Sequence, residues 1–527
     1  MTSKYMDYTK LSRATDLSDP KERFLYRFFE TLPGVLAWAT LLLIVLFSFT
    51  APLWIAIFII LFDIYWLIKT IFLSFHLRQA FKQLRENMTV NWMERLKQLP
   101  TANYELRSVK SWQDVYHLVI LPMYKESTEL VSASVESVMR ADYPKNKMIV
   151  VLAQEERAGE EHNRMVREYL EKEYGSQFFK FITTTHPADL PGEIPGKGAN
   201  ATYGARVAKE KIIDALNIQY DHIIVSNLDI DTVVPAHYFS LLTHLYLTTP
   251  DSLHTSFQPI PLYTNNIWEA PALARVVAFS ATFWHTIQQE RPERLTTFSS
   301  HSMPFQALVD IDFWQTNMVS EDSRVFWQCF LRYNGQYRVT PMFYSVAMDA
   351  NVTPTFWQTL KNIYKQQRRW GYGVENVPYF LFGFHKNKQI PLRKKIYYVF
   401  NVLEGFHSWA TNALIIFMLG WLPVWAGGPE FNQTVLSLNL PQLTRTIMSL
   451  AMVGMISSAV LSLVLLPPRP PQYRRFSYVW MVAQWILFPI TTILLGAFPG
   501  IEAQTRLMLG KYLGFWVTPK YMLNRKS

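Results

Sequence analysis

The chain has 527 residues, enough for two to four domains of ordinary size, and a formal net charge of +10. Half of it is hydrophobic and only 17% is charged, which is too apolar for a water-soluble protein of this length. The single cysteine, Cys329, excludes a disulfide within the chain, and the basic excess points to a membrane surface rather than nucleic acid, for which no binding signature appears.

The first stretch, MTSKYMDYTKLSRATDLSDPKERF, is polar and charged, unlike a cleavable signal peptide, and residues 1–32 read as a cytoplasmic segment. Residues 34 to 75 are almost wholly apolar and hold two bilayer crossings of ~20 residues each, so 33–76 is a predicted transmembrane pair turning at Ala51-Pro52. Lys21, Arg23 and Arg27 precede the pair and Arg78, Lys82 and Arg85 follow it, which predicts that both flanks are cytoplasmic. Asp63 falls in mid-span and must face other helices or a wet cavity. Residues 77–104 form a linker, with a basic amphipathic helix expected at the membrane surface over 77 to 100.

From about 105 the pattern alternates: HLVILPMY, TELVSASVESVMRA, KMIVVLAQ, EEHNRMVREYLEKEY, FKFITTT. Strand-like and helix-like runs in this order predict a mainly parallel α/β sheet with helices on its faces, and ligands bind beyond the carboxyl ends of such strands. Ile223, Ile224 and Val225 read as a buried strand that leads into Asp229 and Asp231. Alternate strand side chains share a face, so the two carboxylates suit Mg²⁺ or Mn²⁺, with phosphate oxygens completing the shell; a polar turn is the other reading. The catalytic region is expected over 105–390, with interface helices near 355–385.

Four further stretches carry chemistry. Pro122-Met123-Tyr124-Lys125-Glu126 follows the first strand, where it can share a ligand pocket with Asp229 or be an ordinary strand-to-helix loop. Pro195-Gly196-Lys197-Gly198-Ala199-Asn200 sets a lysine between glycines, where backbone and ammonium can approach a diphosphate, although the spacing is not that of a P-loop. Glu321 and Asp322 are adjacent carboxylates: Asp322 can serve as a general base, or the pair simply caps a helix. Gln366-Gln367-Arg368-Arg369-Trp370 can bind phosphate and stack on a sugar, or lie as a basic helix at headgroup depth.

After 390 the chain is apolar again. A transmembrane region of three to four segments is expected over 391–500, with crossings near 397 to 424, 446 to 466 and 477 to 498, followed by a basic tail, 501–527. Three simple crossings would leave Arg506, Lys511, Lys520, Arg525 and Lys526 outside, against the charge rule; either Pro489 folds the last segment into a re-entrant hairpin or a further crossing is present.

In this order, between apolar segments, the motifs at Asp229/Asp231, Glu321/Asp322 and Gln366/Arg369/Trp370 resemble those of the membrane-bound family 2 glycosyltransferases, among them cellulose, hyaluronan, chitin and mannan synthases. The resemblance spans about residues 115 to 375. It implies a GT-A fold with a transmembrane helical bundle, and a nucleotide-sugar donor bound by Lys197, Asp229, Gln366 and Arg369, beside which Pro122, Tyr124 and Glu126 are expected to line the donor pocket. It further implies Mg²⁺ or Mn²⁺ on Asp229 and Asp231, catalysis by Asp322 with Glu321 beside it, and an acceptor end at Trp370. Relatives carry an aspartate pair after the second strand for the nucleotide base; here LAQEERAG offers Glu155 or Glu156 instead. His301, in TTFSSHSMPFQ, falls in the acceptor-side region as a structural contact, and Trp516, Thr518 and Lys520 are similar to a run near the family's ends. Glu404 and His407, three apart on one helical face, either line a wet path for a growing glycan or form a structural polar cluster, in reach of Asp63 or of each other.

The expected activity is inverting transfer of sugar to a growing polysaccharide, in the plasma (inner) membrane with the catalytic domain cytoplasmic. The alternatives are transfer of a single sugar to a lipid-linked acceptor and, from another class, a non-catalytic membrane scaffold. An export-path partner is left open.

Overall fold

The computed structural model describes residues 7–100 and 108–519; Lys520, Arg525 and Lys526 lie outside the described residues. Seven strands form one sheet: β1 Tyr116–Pro122, β2 Met148–Glu155, β3 Lys180–His186, β4 Ile223–Asn227, β5 Thr255–Leu262, β6 His301–Pro304 and β7 Arg338–Ala347. Their order is β3-β2-β1-β4-β6-β5-β7. Neighbours pair in parallel except β6, which runs antiparallel to both β4 and β5.

The sheet is covered on both faces. All eight residues of β2 are buried, as befits an inner strand of a parallel sheet. Leu118 and Ile120 of β1 pack on one side with Ala201 and Ala205 of the helix Lys197–Ala208 and Phe326 of the helix Glu321–Arg332. Val119 and Leu121 pack on the other with Val131 and Val135 of the helix Thr128–Arg140 and Leu242 of the helix Tyr238–Thr248.

Around this domain lie the long apolar helices. Pro20–Thr50 and Pro52–Thr89 break at Ala51, where Pro52 opens the second. The second helix has 38 residues. No proline or glycine interrupts it, so much of the stretch expected as a separate surface helix is its continuation, and only Trp92–Lys97 stands apart. At 1.5 Å per residue it is ~57 Å long, well beyond a bilayer core of ~30 Å.

Among the described residues, Pro20–Thr50, Pro52–Thr89 and Ser477–Met508 are long and apolar enough to cross a membrane; a fourth candidate, Leu392–Phe417 with Leu419–Ala426, bends by 50°. Ser477–Met508 runs on as a single helical segment rather than a hairpin. Near Pro489 it tightens to a 3₁₀ turn at Gln484–Leu487, and between Pro489 and Pro499 it widens to a π turn at Ile493–Ala497, which absorbs the lost backbone donors.

Glu404 accepts from Lys69 Nζ at 2.5 Å and Ser408 Oγ at 2.8 Å, and His407 Nε2 lies 2.9 Å from Thr40 Oγ1. These contacts tie the helix Leu392–Phe417 to the first two long helices. Asp63 is not their partner; it is buried beside Thr444.

Candidate active site

The site forms where β4 ends against the starts of two helices. Lys197 begins the helix Lys197–Ala208, and its Nζ lies 2.5 Å from Asp229 Oδ1. One turn on, Asn200 Nδ2 donates to the carbonyls of Ala153 (2.7 Å) and Met123 (3.3 Å), which fixes this helix across the ends of β2 and β1. The two glycines around Lys197 serve close packing rather than flexibility. A Cβ on Gly196 would fall 2.5 Å from the Phe515 ring, and one on Gly198 would fall 2.7 Å from Glu321 Cγ.

Asp229 is held at three points. Besides Lys197, its Oδ2 accepts from Ser299 Oγ at 2.5 Å and its backbone N–H donates to Ser300 Oγ at 3.0 Å. Asp231 is buried, and its Oδ2 accepts from the backbone N–H of Asp349 at 3.1 Å. Asn265 Nδ2 bridges the Asp231 carbonyl (3.1 Å) and Asp349 Oδ1 (3.0 Å). The first two residues of the helix Glu321–Arg332 complete the acidic wall: Asp322 Oδ2 accepts from the Ser299 N–H at 2.9 Å, and Glu321 is buried.

The electrostatics follow from this crowding. Burial pulls the Lys197 ammonium down, but Asp229, Asp322 and Glu321 outweigh it, and its pKa is raised. Burial, reinforced by Asp322, pushes Glu321 up to about 8 against the opposing pull of Lys197. Tyr263, after β5, was not singled out by any sequence motif, yet it is buried within reach of the charges on Asp229, Asp231 and Asp322. Burial raises it well above its ordinary value, and Asp229, Asp231 and Asp322 raise it further. His301 is a structural contact: Nδ1 donates to the Ser299 carbonyl at 3.0 Å and Nε2 accepts from Trp314 Nε1 at 3.2 Å. Burial and the Lys197 charge bring it down to about 4, so it is neutral at physiological pH.

The helix Phe356–Gly371 carries Gln366, Arg369 and Trp370 on one face by their three- and four-residue spacing. Trp370 lies against Tyr263, ring centroids 6.1 Å apart, and the Arg369 guanidinium sits 5.2 Å from the centre of the Phe515 ring. Arg368 points elsewhere, to Glu502 at 2.7 Å. Phe515 thus spans from Gly196 to Arg369, and Trp516 beside it lies 5.1 Å from Lys365 Nζ.

A second group sits at the ends of β1 and β2. Pro122 closes β1, and Glu126 caps its loop by accepting from the Tyr124 N–H at 2.7 Å. Glu155 is buried and paired with Arg157, whose guanidinium lies 4.9 Å from the Tyr124 ring centre. Glu156 is exposed and accepts from the Ala188 N–H at 2.8 Å. Glu155, rather than Glu156, therefore shares its surroundings with Tyr124.

Asp229 and Asp231 are the candidate cation ligands. No group of three or more His, Cys, Asp or Glu with metal-binding geometry occurs among the described residues. Two carboxylates without a third fit Mg²⁺ or Mn²⁺, which are commonly held by one or two carboxylates together with substrate phosphates.

No protein-family model matches the chain, and no curated protein sequence matches it. Among solved structures it is similar to the mannosyltransferase PcManGT from Pyrobaculum calidifontis in complex with GDP-Man and Mn²⁺, with TM-score 0.39 and 13% identity over 82% of this chain and 99% of that one. It is also similar to S. aureus TarS 1–349 in complex with UDP-GlcNAc, with TM-score 0.34 and 10% identity over 75% of this chain and 92% of that one.

Proposed function

We infer that the chain is an inverting, membrane-embedded glycosyltransferase with a GT-A domain of the family 2 kind, which moves a sugar from a nucleotide-sugar donor to a growing polysaccharide. The observation that carries this is the convergence of Lys197, Asp229 and Asp322 on one turn, at the carboxyl ends of parallel strands, where such sheets bind ligands.

Each residue then has a task. Asp322 takes the proton from the acceptor hydroxyl. The acceptor oxygen forms its bond to the anomeric carbon, the bond from that carbon to the diphosphate breaks, and its electron pair leaves with the diphosphate. Attack opposite the leaving group inverts the anomeric centre. Lys197 brings a fixed positive charge to the diphosphate, and Arg369 adds a second from the helix Phe356–Gly371. Asp229 and Asp231 would hold a Mg²⁺ or Mn²⁺ ion, which would neutralise the charge that builds on the leaving group. Trp370, set against Tyr263, offers a flat apolar face for the acceptor sugar. Glu155 and Tyr124 are the candidates for the nucleotide base.

Long apolar helices at both ends of the chain support an integral membrane enzyme. The basic flanks of the first pair support a cytoplasmic catalytic domain in the plasma (inner) membrane. The test is product size. Membranes containing the chain are incubated with Mg²⁺ or Mn²⁺ and a panel of radiolabelled nucleotide-sugars, beside Asp322→Asn. A polymer ladder from one donor, absent in the variant, is expected. A single lipid-soluble product identifies transfer to a lipid-linked acceptor instead, and no incorporation from any donor overturns the assignment.

A further inference from the structure

Ser299 joins the two halves of the site; it lies in the run TTFSSHSMPFQ, where the sequence marks only His301. Its hydroxyl donates to Asp229 Oδ2 (2.5 Å), and its N–H donates to Asp322 Oδ2 (2.9 Å). Its carbonyl accepts from Lys197 Nζ (3.3 Å) and His301 Nδ1 (3.0 Å). Three of the ionisable residues with assigned or structural roles, and the neutral His301, thus meet on one residue.

Ser299 reaches all four because its backbone is left-handed, with φ 48°. That region is unfavourable for a residue with a side chain and persists only where the surroundings enforce it. Here the enforcing residue is Gln258, fully buried on β5. Its Oε1 accepts from the Phe298 N–H (3.0 Å), and its Nε2 donates to the carbonyls of Phe298 (3.2 Å) and Ser300 (3.0 Å). Ser300 Oγ, in turn, lies 2.8 Å from Thr232 Oγ1 and accepts from the Asp229 N–H. One buried amide therefore clamps the turn on both sides of Ser299, and the turn holds the Asp229 backbone and carboxylate together.

Resting on the glycosyltransferase reading above, we propose that Ser299 is a positioning residue whose hydroxyl orients Asp229 toward the cation and donor diphosphate while its N–H orients Asp322 toward the acceptor. Donor side and base side then share one rigid frame, and a shift of either is transmitted to the other through a single turn. Such a frame matters because displacement requires the attacking oxygen, its base and the leaving group to be set before the reaction begins.

Ser299→Gly separates this role from support of the fold. Glycine accepts the left-handed backbone and keeps both backbone contacts, so only the hydroxymethyl side chain is lost. Ser299→Ala is the second variant, retaining a Cβ. The full chain, purified in lipid nanodiscs, is titrated with Mn²⁺ alone. Transfer is then followed with UDP-glucose, UDP-N-acetylglucosamine and GDP-mannose, resolving kcat from KM. Losing one hydrogen bond to a charged group should weaken Mn²⁺ binding about tenfold in both variants. The unfolding temperature of Ser299→Gly should stay close to that of the parent, and kcat should fall more than KM rises. Unchanged Mn²⁺ affinity in both variants overturns the proposal, as does a parent chain that binds no Mn²⁺. A parent that binds Mn²⁺, loses affinity with Ser299→Gly and transfers no sugar keeps Ser299 as the orienting residue and removes the glycosyltransferase reading.

Discussion

A Cβ placed on Gly198 would stand 2.7 Å from Glu321 Cγ and 3.1 Å from the Gln315 carbonyl oxygen. The starts of the helices Lys197–Ala208 and Glu321–Arg332 therefore approach as closely as a residue without a side chain permits. Gly198→Ala forces Glu321, and Asp322 beside it, away from Lys197. Overpacking of this kind costs about 1–3 kcal/mol. Thermal unfolding of the purified variant should show a lowered midpoint, and transfer should be lost beyond what the lower stability explains. A variant with parental stability and turnover would mean that the two helices can part without consequence.

Asp322→Asn removes the proposed base but keeps its shape and an oxygen able to accept from the Ser299 N–H. General-base catalysis contributes about 10²–10⁴-fold, so the sugar-transfer rate should fall by that factor while Mn²⁺ affinity stays near the parental value. Single-turnover transfer and a Mn²⁺ titration on the same preparation check both halves. Retained turnover would move the base role elsewhere.

Glu321 makes stability depend on pH. Its carboxyl is raised from 4.5 to about 8, first by burial and then by Asp322. Over that interval the folded chain keeps a proton that the unfolded chain has released. The stabilising contribution is whole below pH 4.5 and is lost as pH rises through about 8. Glu321→Gln stays neutral throughout. Between about pH 5 and 8 the unfolding temperature of the parent should therefore decline more steeply than that of Glu321→Gln. Parallel curves would show that Glu321 is already ionised in the folded chain.

Arg324, on the helix that begins with Glu321, is fully buried and spends its donors on four partners. Nε bonds Asn376 Oδ1 (2.7 Å), Nη1 bonds the Leu11 carbonyl and Gln315 Oε1 (2.9 Å each), and Nη2 bonds the Glu375 carbonyl (3.1 Å). Its guanidinium also lies 3.8 Å from the Tyr379 ring centre. Lysine cannot reproduce this fork. Arg324→Lys should lose at least about 2 kcal/mol, since each buried group left unbonded costs about 1–3 kcal/mol. Thermal unfolding measures it, and a parental midpoint would show that the network is replaceable.

The first half of the sheet was legible because its strands are β-branched runs punctuated by helical periods: KMIVVLAQ lies within β2 almost residue for residue, and Ile223, Ile224 and Val225 open β4. The second half was not. β6 has four residues, too few to show alternation, and its antiparallel direction is set by pairing with β4 and β5. Lys197, Asp229 and Asp322 could be picked out because carboxylates and lysines among turn residues suggest chemistry. Ser299 and Gln258 could not: a serine in a left-handed turn has no composition signal, and the amide that holds it comes from 40 residues away. Tyr263 was hidden for the same reason, since nothing local marks a tyrosine on which the charges of three aspartates distant in sequence act.

The bond from Arg324 to the Leu11 carbonyl joins positions 313 residues apart, and Lys10 pairs with Asp312 over 302. At about 5–20 residues per second, the ribosome needs roughly 15–60 s to supply Arg324 after Leu11. The start of the chain thus emerges long before its partners exist, and the helix that carries Asp322 closes over it only when most of the protein has been made. Assembly of this acidic wall is a late event in biosynthesis, bounded by the speed of translation rather than by that of local folding.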